Sequence, residues 1–136
     1  MPSEAGKINS EKETFQMPPI VEHYYEFCVW LLPKVSKFQK DQKYILGTRL
    51  QNTALDALEY ILDSALSEKS EKAQYLEKAI LTLEHLRYCF RLSVQIKMVN
   101  PKSYAYGSKQ ILTISKMLGA WKKSVKSEKS EKDDRK

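Results

Sequence analysis

The sequence predicts an all-α protein, an up-down four-helix bundle. Three observations carry this expectation. Apolar residues recur at steps of three and four through four separate stretches, the period of one helix face. Glycine and proline number only 4 and 5 in 136 residues, and most prolines stand at segment edges. The links between the periodic stretches are short, which makes consecutive helices antiparallel neighbours. No alternating strand pattern competes.

The first helix is expected after Met17, with Pro18 and Pro19 in a first turn where a missing N–H costs nothing. Ile20, Tyr24, Phe27, Leu31 and Val35 mark its inner face, and Pro33 is expected to kink it. The second helix is expected from Asp41, as N-cap, to Leu66. Its core positions are Leu46, Leu50, Ala54, Ala57, Leu58, Ile61 and Leu62. The third follows Ser70 and reaches Val99, and Asn100-Pro101 then caps and starts the fourth, which is expected to reach about Lys126. In the fourth, Tyr104, Ile111, Leu118 and Val125 step by seven with Ile114 and Trp121 between them, an a/d-like seam. Residues 1–17 and 127–136 are polar or charged without periodicity and are expected to be disordered, leaving residues 18–126 as the bundle.

The third helix carries two apolar faces. Leu83, Leu86, Phe90 and Val94 form one; Leu81, Tyr88, Leu92 and Ile96 form another more than a right angle away. The second face suits a subunit interface, the alternative being a wide core-facing surface on a central helix.

Charge is unevenly placed. Residues 1–84 are net −3, residues 85–127 are net +9 with no Asp or Glu, and residues 128–136 cancel. Lys102, Lys109, Lys116 and Lys123 step by seven, so they form one ridge opposite the apolar seam. Lys122 and Lys126 add to the helix end, and Arg87 and Arg91 form a shorter ridge on the third helix. A solvated face is the plain alternative, but such faces usually interleave acids with lysines, as the second helix does with Arg49, Asp56, Glu59 and Asp63. An acid-free face favours contact with a polyanion, through phosphate rather than bases. Tyr44, Tyr75 and Tyr106 are expected in core or rim positions, so no exposed aromatic row for base stacking is expected.

No catalytic or metal-binding signature stands out. His23 and His85 each directly follow a glutamate, whereas di-iron bundles space Glu-x-x-His to bring both ligands to one face. Cys28 and Cys89 lack zinc-ligand spacing and read as small buried hydrophobes of a reducing compartment. There is no glycine-rich phosphate loop; Gly47 and Gly119 are isolated and are expected to allow close helix packing or a slight bend. No catalytic residue, metal or cofactor is expected. The chain has neither a membrane-spanning run nor a signal-peptide core, and a cytoplasmic location is expected.

The run FQKDQKYILGTRLQNTALDALEYILDSA (38–65), the segment LEHLRYCFRLS (83–93) and KMLGAWKKS (116–124) resemble the accessory variability determinant, Avd, of diversity-generating retroelements. Four-helix-bundle proteins encoded in ribosomal RNA intervening sequences share the same plan. The resemblance covers roughly residues 18–125 and implies a protomer that assembles into a homopentameric, basic barrel. It implies binding to the retroelement's reverse transcriptase and to template RNA and cDNA, in support of mutagenic cDNA synthesis and retrohoming. The active site would belong to the polymerase, so this chain would not be an enzyme. Arg49, Arg87 and Arg91 match basic positions of the motifs, and Lys116, Lys122 and Lys123 sit in or beside the closing one. A bundle of the intervening-sequence type, without a polymerase partner, is the alternative function.

Overall fold

The computed structural model describes residues 16–134, with side-chain surroundings through residue 128. Helix α1 spans Pro19–Ser36, α2 Thr48–Leu66, α3 Lys69–Gln95 and α4 Pro101–Asp134. A short α-turn, Lys40–Gln42, and a π-turn, Lys43–Gly47, lead into α2. Among the described residues there is no strand. Each helix packs on two neighbours in the order α1–α2–α3–α4, and α4 closes back on α1. This is the expected four-helix bundle.

Local chemistry explains the ends. Pro19 occupies the first position of α1, with Pro18 before it. Asn100 caps α4 as expected: its side-chain oxygen accepts the Ser103 N–H at 2.8 Å. Asp41 does not cap the second helical stretch. Gln39 stands at its start, and Asp41 lies in the first turn, where a carboxylate favours the helix dipole. Between α2 and α3, the Lys72 ammonium donates to the Ser64 and Ala65 carbonyls at 2.9 and 3.2 Å, occupying acceptors left open at the C-terminus of α2.

Helix α3 stops at Gln95, four residues before the expected Val99. Lys97 adopts a left-handed backbone (φ 65°). Its N–H reaches the Val94 carbonyl, and the Met98 N–H reaches that of Ser93, which is a Schellman closure made without glycine. The turn drops Val99 into the core. The fourth helix runs past Lys126 to Asp134, so most of the segment expected to be disordered is helical. Its Ser-Glu-Lys composition contains helix formers and no glycine or proline to stop it. The N-terminal segment expected to be disordered lies outside the described residues except for its last two. Helix α1 continues through Pro33 to Ser36.

The core is one cluster. Leu50, Ala54, Ala57 and Ile61 of α2 meet Leu76, Ala79, Leu83 and Leu86 of α3, with Ile111, Ile114 and Leu118 of α4 closing one side. Leu58 and Leu62 are only partly buried. Tyr24, fully buried, donates its hydroxyl to the Ala54 carbonyl at 2.7 Å and so ties α1 to α2. Burial pushes the Cys28 thiol up to about 11, an inert buried group, while Cys89 is half-buried; both are free.

Gly119 departs from the expected close packing, and the tightest approach is at Gly107, for which the sequence raised no expectation. A Cβ at Gly107 would lie 2.6 Å from the Phe90 ring and 3.0 Å from Trp30, so close helix approach is required there. A Cβ at Gly119 would meet nothing within 4 Å, so packing within the bundle does not explain this residue. Gly47 does allow a close approach, to Val35 of α1 at 3.3 Å. Gly107→Ala is therefore expected to cost about 1–3 kcal/mol through overpacking, although alanine is the better helix former. Gly119→Ala is expected to gain about 0.5–1 kcal/mol. Urea denaturation followed by circular dichroism checks both, and a stable G107A variant would contradict the packing.

Candidate nucleic-acid interface

Helix α4 divides as its seven-residue steps predict. Ile111, Ile114 and Leu118 are buried, with Tyr104, Trp121 and Val125 partly buried beside them. Lys102, Lys109, Lys116 and Lys123 are all exposed on the opposite side. A seven-residue step advances about 10.5 Å along a helix, so the ridge presents an ammonium at roughly that interval. Among the described residues no carboxylate lies within ion-pair distance of these four. Ala105, Leu112 and Gly119, also exposed, alternate with them and add no charge.

Two of the predicted basic residues are engaged. Lys122 is half-buried and donates to Glu77 of α3 at 2.9 Å. That hydrogen bond, the Lys122 charge and then the Lys126 charge hold the Glu77 carboxyl below its usual range. Arg87 donates through two guanidinium nitrogens to Glu84, one turn back on α3, and holds that carboxyl below its usual range. The Arg87 guanidinium also lies 4.7 Å from the Tyr88 ring centroid. Glu84 reaches Arg87 because residues three apart are neighbours on a helix. Only tertiary packing brings Glu77 to Lys122.

Arg91 is exposed on the flank of α3 from which Glu77 reaches α4, so it borders the lysine ridge. Lys126 is exposed at the lower end of that ridge. Arg49 is exposed on α2, across the bundle from α4, and does not join the surface. The exposed basic surface therefore comprises Arg91, Lys102, Lys109, Lys116, Lys123 and Lys126, with Arg87 and Lys122 alongside, held by carboxylates.

A model of the bAvd-like family matches residues 19–125. The chain belongs to the bAvd-like family. The match supports an Avd-type protein, and its span starts with α1 and takes in all four helices except the last part of α4. No curated protein and no solved structure gives a significant match.

The second apolar face of α3 is solvent-exposed in the single chain: Leu81, Tyr88, Leu92 and Ile96 all point away from the core, ruling out the wide core-facing alternative. Tyr25 and Val29 of α1 are also exposed. A groove of about 720 Å³ between α1 and α4 is lined by Glu22, Glu26, Trp30, Tyr106 and the His23–Gln110 pair, in which the ring nitrogen and amide oxygen are 3.1 Å apart. No group of three or more potential metal ligands occurs among the described residues. No described helix is long and apolar enough to cross a membrane.

Releasing the two engaged cations should strengthen polyanion contact. The double substitution Glu77→Gln and Glu84→Gln is expected to move elution from a heparin column to higher salt. Both carboxyl pKa values are depressed, so the pairs persist above pH 4.5, the ordinary carboxyl value, and are lost as pH falls through the lower folded values. The gain from the substitutions should therefore be present at pH 7. Unchanged elution would mean that these side chains do not face the bound polyanion.

Proposed function

We propose that this protein is a non-catalytic accessory factor of a diversity-generating retroelement. It binds the retroelement's reverse transcriptase together with template RNA and cDNA, and it supports mutagenic cDNA synthesis and retrohoming. The observation that carries the reading is the ridge Lys102, Lys109, Lys116 and Lys123 on an Avd-type bundle. Four like charges on one face repel one another, and a phosphate backbone would offset that cost. Lysine ammonium groups act as point charges toward phosphate, so binding is governed by charge more than by sequence. The exposed stripe Leu81, Tyr88, Leu92 and Ile96 serves as the contact between copies, in a homo-oligomer for which the family resemblance suggests five.

Changing Lys109, Lys116 and Lys123 to Glu is expected to abolish RNA binding while leaving helix content intact. In wild type, the logarithm of the binding constant should fall by about 0.7 per neutralised phosphate of a single strand for each unit of log salt. RNA binding by the triple variant equal to wild type at low salt overturns the reading. Co-purification with the retroelement's reverse transcriptase, followed by sequencing of the bound RNA, tests the partners. Light scattering checks assembly: a 15.8 kDa species at micromolar concentration would remove the oligomer. Leu81→Glu with Leu92→Glu should dissociate it.

A further inference from the structure

The corner between α1 and α2 carries a second basic surface. Lys34, Lys37, Lys40 and Lys43 step by three, and Asp41 is the only acid between Lys34 and Arg49. This group is hidden in the acidic average of residues 1–84. Lys37, Lys40 and Lys43 are exposed, and among the described residues no carboxylate lies within ion-pair distance of them.

The π-turn carries the residues that the corner displays. Within it Leu46 and Gly47 are buried, and the preceding Lys43, Tyr44 and Ile45 are exposed. Tyr44 is 68% exposed and Ile45 70%, contrary to a core or rim placement. The turn is firmly seated: Phe38 is buried, and a Cβ on Gly47 would meet Val35 at 3.3 Å and Phe38 at 3.6 Å. An exposed ring on a fixed backbone loses little freedom on binding. The Lys43 ammonium lies over one face of the Tyr44 ring, 5.9 Å from its centroid, so a base stacked on the opposite face has a cation nearby for its phosphate. The up-down topology brings the α3–α4 turn to the same end of the bundle, where Lys97 and Lys102 are also exposed.

We propose that this corner binds an unpaired stretch of nucleic acid, with a base stacked on Tyr44 and flanking phosphates held by Lys37, Lys40 and Lys43. The inference rests on the nucleic-acid reading above and adds a site on a different part of the fold. The α4 ridge presents charge alone and accepts single strand or duplex. The corner adds an aromatic face, which only an unstacked base can use.

Fluorescence anisotropy with the full chain, a labelled 20-nucleotide oligouridylate and a 20-base-pair RNA duplex separates the two. Tyr44→Ala should weaken single-strand binding about tenfold and duplex binding less than twofold, while Tyr44→Trp should retain both. Replacing Lys37, Lys40 and Lys43 by Ala should lower the single-strand salt slope by about 2. Wild-type affinity of Tyr44→Ala for the oligouridylate overturns the corner site, as does an equal loss for strand and duplex. A change in oligomeric mass of Tyr44→Ala in light scattering assigns the ring to a contact between copies and also overturns it. If wild type binds neither nucleic acid, the broader reading fails and the corner with it.

Discussion

The fold depends on a close approach at Gly107. The Phe90 ring of α3 occupies the space that a side chain there would fill. Phe90 also stacks on Tyr104, with centroids 5.3 Å apart, and meets Trp30 of α1 edge-on at 6.3 Å. Trp30 in turn packs on Tyr106 at 4.9 Å. These contacts join three of the four helices, and they fix the rotation of α4 about its own axis. That rotation decides which residues of α4 meet water. With Gly107 inward, Ile111, Ile114 and Leu118 follow it into the core, and the lysines spaced by seven face out.

Electrostatics then separates two kinds of cation. Lys122 and Arg87 have carboxylate partners and act within the bundle, although such exposed pairs add little stability. The lysines of the α4 ridge and of the α1–α2 corner have no such partners among the described residues. Topology gathers Lys34, Lys37, Lys40, Lys43, Arg91, Lys97 and Lys102 toward one end, with Asp41 close among them. Most acids of the described chain lie elsewhere: Glu22 and Glu26 at the start of α1, Glu59 and Asp63 late in α2, Glu68, Glu71 and Glu77 around the start of α3. The molecule is therefore polarised along its axis, which favours one orientation toward a polyanion.

Much of this was legible in the residue pattern. The four helices, the seam of α4, the Asn100 cap, the two faces of α3 and the exposed lysine ridge all follow from spacing, because a helix of 3.6 residues per turn converts spacing directly into direction. The π-turn was not legible. One extra residue in a turn leaves no compositional mark, and Tyr44, expected in a core or rim position, lies exposed within it. The Schellman closure at Lys97 was hidden for a related reason, since a lysine stands where a glycine would have announced the turn. Gly119 looked like a packing glycine and Gly107 drew no notice, because the need for glycine depends on the neighbouring helix.

The order of polar and apolar residues thus dictated the bundle, its core faces and the basic face of α4, since these are properties of single helices. Partnership between helices was settled only on folding. Glu77 meets Lys122 across 45 residues of chain, and Phe90 fills the gap at Gly107. Two turns far apart in sequence bring their lysines to one end. Ion pairing, close packing and surface charge density depend on distances of a few ångströms between segments. Linear spacing carries no measure of those distances.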